Sequence, residues 1–333
     1  MNARTLLGAL ALIVLAMLAW ELRWVLLVLF GAVVLAVAID VPITWIRRLL
    51  PLNRPAALVV VLLVTAALGT LLAQQLLPEL VEQVRTLSNL LPQLISRLQS
   101  LAPRLDWLPN LERSLMDGSL WSRLEPLGTQ VLGFAGGAAN ITVQLLLMLL
   151  LAMLLALDPR AHQRLVIAIT PSFYRNTMQG LLERCRAALG GWLAGMTISA
   201  VTVFLLTWAG LALLRIPLAL LSALVCGLLT FVPTIGPTAA TLLPLALALL
   251  VSPGAVLQVL ILRLALQNVE AFLITPLLLR QTVNLLPTVA LMAQLSLGAL
   301  LGLPGVLLAL PLVVVLQVIT QQLVVRDVMD RWS

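Results

Sequence analysis

Three polar residues lie inside an otherwise apolar segment in the last third of the chain, the run LRLALQNVEAFLITP. On a helix, Arg263, Gln267 and Glu270 share one face, in a stripe about 60° wide at 100° per residue. A carboxylate at membrane depth is costly and typical of proton or cation carriers, so Glu270 is the candidate coupling residue, with Gln267 and Arg263 beside it. Two alternatives stay open. Gln267 could bridge Arg263 to Glu270 in a purely structural network, or Arg263 could extend to a membrane surface.

Two interruptions of apolar segments could leave backbone polar groups without helix partners. The first is FVPTIGP, residues 231–237, and the second is LGLPGVLLALP, residues 301–311. Proline removes a helix hydrogen bond and glycine permits a sharp bend. Broken helices line the substrate path of many transporters, whereas an ordinary turn at the bilayer surface is the alternative. The candidate permeation-path backbone therefore comprises Pro233, Gly236, Pro237, Gly302 and Gly305.

The composition indicates which elements must position these residues. Of 333 residues, 62% are hydrophobic and 10% are charged, and the mean hydropathy is +1.11. Soluble domains are about 45–50% apolar and about 25% charged, so a soluble domain is excluded. Spanning helices need about 20 apolar residues each, and the short alternating segments of a β-barrel are absent from the sequence. The sequence predicts an all-α polytopic membrane protein of about eight spans, with broken helices in its C-terminal half.

The charged and reactive residues exclude several classes of function. All 20 basic residues are arginine, so a phosphate loop with its lysine and Schiff-base chemistry are both excluded. The net charge of +7 comes from scattered arginines that orient membrane proteins, so no nucleic-acid partner is expected. One histidine and two cysteines supply no metal or redox framework, and no intramembrane protease motif is present. We therefore expect no enzyme, no cofactor, no metal and no nucleotide; the expected partners are the lipid bilayer and a small solute or ion.

The charge pattern divides the chain into parts. We predict N-terminal membrane helices over 1–77, an amphipathic extramembrane arm over 78–130, a main membrane domain over 131–325 with a cytoplasmic loop at 158–186, and a polar tail over 326–333. Arginine-rich segments mark the cytoplasmic side, which places both termini there. Whether residues 6–39 cross once or twice stays open, although a hairpin of two short spans is favoured because it puts Glu21 and Arg23 at a surface.

The arm carries apolar residues, all leucine except Val84, at alternating spacings of three and four from Leu77 to Leu108, a heptad pattern. Such a stripe needs a partner, and self-association and packing onto the rest of the chain are equally expected; the membrane surface is a third candidate. Pro92 and Pro103 must kink or interrupt the helix. The candidate oligomerisation seam is Leu87, Leu91, Leu94 and Leu98.

Four segments carry a resemblance to a known family over essentially the whole chain. They are AIDVPITWIRRLLPLNRPAALVV near the N-terminus, then FVPTIGP, QNVEAFLITPLLL and VNLLPTVALMAQLSLGALLGLPGVLLALPL. In order and spacing the chain resembles the autoinducer-2 exporter family, which includes the PerM-type permeases. One departure is Arg280-Gln281-Thr282, where family members often carry glycine and lysine, so a role for that lysine does not transfer.

The resemblance implies a secondary transporter of seven or eight spans in a bacterial inner (plasma) membrane, assembled as a homo-oligomer. Family members are associated with export of a furanone-type quorum-sensing signal, and some are similar to sodium/proton antiporters. The expected function is a permease or exporter of a small polar solute such as autoinducer-2, coupled to protons or cations. Alternatives are a sodium or lithium/proton antiporter and, in another class, an oligomeric membrane scaffold without transport. The matching positions are Pro233, Gly236, Pro237, Gln267, Glu270, Pro276, Pro287, Gly302, Gly305 and Pro311.

Overall fold

The structure, a computed structural model, describes residues 14, 17, 18, 20–101, 138–232, 235–274 and 286–326, and these contain helices and no strand. The α-helices of these ranges are α1 (Arg23–Leu49), α2 (Arg54–Leu101), α3 (Ala138–Leu157), α4 (Pro159–Ile169), α5 (Arg175–Leu213), α6 (Ala219–Leu229), α7 (Ile235–Val251), α8 (Pro253–Val269) and α9 (Pro287–Thr320). A 3₁₀ turn, Ser172–Tyr174, precedes α5, and π-helical turns follow α8 (Glu270–Ile274) and α9 (Gln321–Arg326).

Five helices in the described ranges are long and apolar enough to cross a membrane, or six if the bent pair α3 and α4 counts as one span. The predicted polytopic all-helical membrane fold is thereby confirmed. Helices α6 and α7 are shorter apolar helices, of 11 and 17 residues. Most of residues 6–20, the first part of the hairpin expected over 6–39, lies outside the described residues. The described part therefore has fewer membrane-length helices than the eight crossings expected.

Helix boundaries follow proline and capping residues. Helix α1 continues through Asp40 and Pro42 to Leu49, and residues 50–53 connect it to α2. It stops there because the residue before Pro51 disfavours helical geometry, and Leu50 is extended. Helix α2 runs through Pro78 and Pro92 without a break in its helical assignment, a length of about 72 Å at 1.5 Å per residue.

Two other helices begin at side-chain caps followed by proline. The Asp158 carboxylate accepts from the amide of Ala161 at 3.0 Å at the start of α4. The Ser252 hydroxyl accepts from the amide of Ala255 at 3.1 Å at the start of α8. Such caps satisfy amides that a helix leaves unpaired at its start, so both starts are fixed by local sequence.

The chain forms two compact units that interleave along the sequence. The first unit comprises Met1–Val61, Thr142–Gly190 and Leu285–Ser333, and the second comprises Leu62–Ile141 and Gly191–Asn284. In the described ranges the first unit holds α1, the start of α2, α3, α4, the first part of α5, and α9. The second holds the rest of α2 and α5 together with α6, α7 and α8.

One buried cluster of the second unit joins the end of α5 to α7 and α8. Its members are Leu211, Ile216, Leu218, Leu247, Ala248, Ala255 and Val259. Leu87 of the predicted seam packs against this cluster, and Leu94 is only 7% exposed. The side chains of Leu91 and Leu98 lie outside the described residues. Of the two expected partners for the seam, packing within the chain therefore accounts for Leu87, while self-association stays a prediction.

Candidate functional site

Arg263 of α8 holds the start of α7 in the second unit. Its side chain is buried, with the residue 7% exposed. Nε donates to the Thr241 hydroxyl oxygen at 3.0 Å, and Nη2 donates to the Pro237 carbonyl at 3.0 Å. The Thr241 hydroxyl donates to the same carbonyl at 2.7 Å, which closes a ring of three hydrogen bonds. A buried arginine costs free energy unless it is bonded, so this ring stabilises the guanidinium and fixes α7 against α8.

Glu270 has a different partner. Its carboxylate accepts a hydrogen bond from the hydroxyl of Ser199 on α5 at 2.9 Å. Ser199 is 6% exposed, and Glu270 is partly buried. Glu270 is also the residue at which α8 gives way to the π-helical turn Glu270–Ile274. Single π turns occur frequently at functional sites, because the extra residue displaces side chains from regular helical positions.

The bridge from Arg263 through Gln267 to Glu270 is not formed. Among the residues described, ion pairs within 4.0 Å are formed by Asp40 and not by Glu270. The inward face of α8 carries Val259, Arg263 and Glu270, whereas Gln267 is exposed. Since Gln267 lies about 40° beyond Arg263 on the side away from Val259, it falls outside the contact with α5 and α7. The helical wheel thus placed Arg263 and Glu270 on one inward face, whereas Gln267 lies at the exposed edge of the stripe and the three form no common network.

Helices α6 and α7 form a short helical hairpin, and α7 begins inside the FVPTIGP segment. Contacts join Leu229 to Gly236 and Cys226 to Ala240, so α6 and α7 run antiparallel away from the turn. A methyl group on Gly236 would overlap the carbonyl of Leu229, which explains the glycine. Pro233 lies outside the described residues, and Pro237 is in the first turn of α7, where its missing N–H costs no helix bond. The Pro237 carbonyl is the acceptor for Arg263.

The second predicted interruption is present in the first unit. Gly302, with φ 66° and ψ −150°, breaks α9 into two helices. Such a conformation is essentially confined to glycine. The α-carbon of Gly305 lies against the carbonyl of Leu297, where a methyl group would overlap it, so the halves of α9 meet closely at the break. Gln294, in the half before the break, is 1% exposed, and its amide atoms have no hydrogen-bond partner among the described residues.

Sequence reasoning missed a charged cluster in the first unit. Asp40 of α1 is 6% exposed and forms ion pairs with Arg54 of α2 and Arg186 of α5. Arg186 Nε also donates to Asp40 Oδ2 at 3.0 Å, and Arg54 Nε donates to the carbonyl of Ala156 at 2.9 Å. An acid inside the apolar run AVAIDVP is the signal that could have indicated a buried partner for Asp40. The 146-residue separation of Asp40 from Arg186 gave no local clue.

Metal ligation has little support in this arrangement. Across the described ranges no group of three or more His, Cys, Asp or Glu side chains could hold a metal ion. Both cysteines are free thiols, Cys185 in the first unit and Cys226 in the second. The polar groups described above are two separate clusters, Glu270, Ser199 and Arg263 in the second unit and Asp40 with its arginines in the first.

Comparison with known proteins gives a consistent result over the chain. A family model described as "AI-2E family transporter" matches residues 9–325. The Bacillus subtilis protein named "Putative transport protein YueF" is 22% identical over 285 residues, 81% of this chain and 77% of that protein. The Synechocystis protein named "Putative transport protein sll0060" is 23% identical over 280 residues, 81% of this chain and 80% of that protein. A further match, "Putative transport protein YrrI" of Bacillus subtilis, is 26% identical but spans only 46% of that protein's length.

Proposed function

Because the chain belongs to the AI-2E family of transporters, we propose that it is a secondary transporter of a small polar solute such as autoinducer-2, coupled to protons or cations, in a bacterial inner membrane. The observation that carries the coupling is the partly buried carboxylate of Glu270, held by a neutral hydroxyl instead of by the nearby arginine. The chain is thus a membrane transport protein by family, and the substrate and the coupling ion are the parts proposed.

The two charged residues of α8 differ in how their charges are satisfied. Arg263 has a complete set of partners in the ring with Thr241 and the Pro237 carbonyl. Glu270 accepts from Ser199, which bonds to the carboxylate without neutralising it. A carboxylate in an apolar span is stabilised when a proton or a cation binds to it. Glu270 is therefore suited to bind and release such an ion, whereas Arg263 is suited to a fixed structural role.

The short hairpin α6–α7 supports a substrate path beside this carboxylate. At 1.5 Å per residue, α6 is about 16 Å long and α7 about 26 Å, and a hydrocarbon core is about 30 Å thick. We propose that the turn between these helices lies within the membrane, because a hairpin of that length is too short for both helices to cross the bilayer. Irregular backbone at that depth is tolerated only against protein or a wet cavity. Arg263 is bonded to this turn region, and Glu270 lies two helical turns further along α8.

The proposed mechanism assigns distinct roles to these groups. Ion binding at Glu270 weakens its charge-assisted bond to Ser199 and so alters the contact between α8 and α5. The ring at Arg263 holds α7 to α8 throughout. The two ion-binding states then favour different arrangements of α5 against the α6–α8 segment, one open to each side of the membrane. This is coupling in the thermodynamic sense, since the ion must bind the two arrangements with different affinity.

Proton flux in proteoliposomes tests the proposal. Purified protein is reconstituted with a pH-sensitive dye inside, and an autoinducer-2, sodium or lithium gradient is imposed. We expect one solute to drive flux in the native chain and in Glu183→Gln, an exposed matched control on α5. We expect Glu270→Gln to abolish coupled flux, because the amide keeps the shape and the hydrogen bond to Ser199 but binds neither proton nor cation.

The outcomes separate the remaining alternatives. Flux driven by sodium or lithium and not by autoinducer-2 favours a cation/proton antiporter that uses the same carboxylate. Unchanged flux and unchanged pH dependence in Glu270→Gln contradict the coupling role of Glu270. No flux with any of the three solutes, from folded and oriented protein, contradicts the proposed substrate class and favours a scaffold.

A further inference from the structure

One cavity of the first unit is apolar along most of its wall and carries a cluster of charged side chains at one end. It has a volume of about 760 Å³, within the range of about 300–1,000 Å³ typical of ligand sites. Residues of α1, α3, α4, α5 and α9 contribute apolar side chains, among them Phe30, Val37, Leu155, Leu182, Leu189 and Ile319. Asp40, Arg54 and Arg186 lie at its charged end. A ligand that fills such a space needs a long apolar part and a polar end.

The charge at that end is positive. Two guanidinium groups share the single carboxylate of Asp40, which leaves an excess of one positive charge. Each guanidinium has five N–H donors, and the bonds to Asp40 and to the Ala156 carbonyl use Nε and Nη2 of each arginine. Within the described residues no acceptor is bonded to either Nη1. The side chains of Arg54 and Arg186 are 20% and 37% exposed, so an acceptor entering the cavity can reach them.

Helix α4 indicates where the cavity lies with respect to the membrane. Helix α4, Pro159–Ile169, makes an angle of 87° with the apolar helix that precedes it, Val143–Leu157. Leu165, Val166 and Ile169 are exposed on one side of α4, and Arg160 and Arg164 lie on the opposite side. An amphipathic helix perpendicular to a span lies in the membrane surface, with its apolar face toward the acyl chains. Because α4 forms part of the cavity wall, the charged end is at headgroup level.

From these three observations we infer that the cavity binds an anionic phospholipid. The headgroup phosphate accepts from the free Nη1 groups of Arg54 and Arg186, and one acyl chain lies along the apolar wall. A phosphate and an arginine form strong charge-assisted hydrogen bonds, and basic pockets of membrane proteins bind anionic lipid headgroups through such bonds. A free inorganic anion satisfies the arginines but leaves the long apolar wall without contacts. A polar solute has the same deficiency, so the occupant with both parts is a lipid.

The bound lipid would link the elements that surround the cavity. It contacts α1, α3, α4, α5 and α9 together, whereas the Asp40 ion pairs join α1, α2 and α5. A ligand that binds the native arrangement and not the unfolded chain stabilises it by mass action. The proposal is independent of the solute that the protein transports, because the cavity lies in the first unit and Glu270 in the second.

Native mass spectrometry of the full chain, stripped of lipid, tests the preference for an anionic headgroup. Phosphatidylglycerol and phosphatidylcholine with identical acyl chains are titrated separately. We expect the native protein and the control Arg48→Gln, an exposed arginine that does not line the cavity, to bind phosphatidylglycerol about tenfold more tightly. In Arg186→Gln we expect that preference to fall to about twofold or less. Equal affinities in the native protein, or an unchanged preference in Arg186→Gln, would overturn the proposal.

A second readout does not depend on changing the ion pairs. Cys185 lines the cavity, and in the Cys226→Ala variant it is the single thiol of the chain. We expect phosphatidylglycerol to slow alkylation of Cys185 by N-ethylmaleimide several-fold, and inorganic phosphate to leave the rate unchanged. Adding Leu182→Trp, which fills the cavity, should abolish the protection by lipid. Protection by inorganic phosphate alone would identify an aqueous anion site. Protection by lipid that survives Leu182→Trp would place the lipid elsewhere. Either result contradicts the proposal.

Discussion

Substitution of Asp40 by asparagine is the most informative stability test in this structure, since one carboxylate joins three helices. The change leaves the shape intact but removes the negative charge between Arg54 and Arg186. Removing one partner of a buried ion pair costs about 3–5 kcal/mol. The arginine side chains here are 20% and 37% exposed, so water recovers part of that cost. We therefore expect Asp40→Asn to lower the free energy of unfolding by about 2–3 kcal/mol.

Of the two arginines, we expect the less exposed one to cause the larger loss of stability when it is replaced. Arg54→Gln, at the less exposed arginine that also bonds the Ala156 carbonyl, should cost about 1–2 kcal/mol, and Arg186→Gln less than about 1 kcal/mol. The double variant Asp40→Asn/Arg54→Gln should lose less than the sum of the single losses. The reason is that the second change removes a charge which the first left without its partner.

Thermal unfolding in a neutral detergent without anionic lipid measures these differences. At about 2–4 °C per kcal/mol for a chain of this size class, Asp40→Asn should lower Tm by about 4–12 °C. Glu183→Gln is the matched control, because this exposed acid of α5 has only a 3.4 Å bond from Gln179, and its Tm should change by no more than about 2 °C. An Asp40→Asn protein with the native Tm, or strict additivity in the double variant, would refute a shared ion-pair cluster.

Two further substitutions test the second unit. Gly236→Ala should lower Tm, because the added methyl group overlaps the carbonyl of Leu229. Gly180→Ala is its control: nothing lies within 4 Å of the added methyl group, so this change should raise the stability of α5 by up to about 1 kcal/mol. A change of the same sign in both variants would contradict the close hairpin contact. Gln83→Ala should cost about 1 kcal/mol, since the Gln83 side chain accepts from a backbone amide in the first turn of α6 at 2.8 Å, and the exposed Gln75→Ala is its control. Equal Tm values for the two glutamine variants would remove Gln83 from that role.

The interruptions of the C-terminal half were predictable from residue type. Proline and glycine have fixed conformational properties, and the sequence alone indicated breaks in FVPTIGP and after Leu301. The structure places a hairpin turn at the first and a glycine-specific backbone at Gly302 in the second. What residue type could not decide was the form of each break. Whether a proline pair ends a span or turns a short hairpin depends on the helix lengths and on the contact of Gly236 with Leu229, which are tertiary properties.

The polar residues show a similar limit. The 3.6-residue period put Arg263 and Glu270 on the inward face of α8, and both have hydrogen-bond partners on that side. The period did not say that Thr241 would be nearer to Arg263 than Glu270 is, because Thr241 comes from another helix. Gln267 illustrates the same point, since a turn of about 40° was enough to leave it exposed.

Composition alone determined that this protein is a helical membrane protein without lysine chemistry, because 62% hydrophobic residues cannot be covered by the charged surface that the chain carries. Local sequence determined where α4 and α8 start and where α1 stops, since caps and prolines act within a few residues. Only the tertiary structure decided that Asp40 joins Arg54 and Arg186, and that Ser199 rather than Arg263 bonds Glu270. Those pairings join residues 14 to 146 positions apart, and a single sequence does not specify which distant helices will pack together.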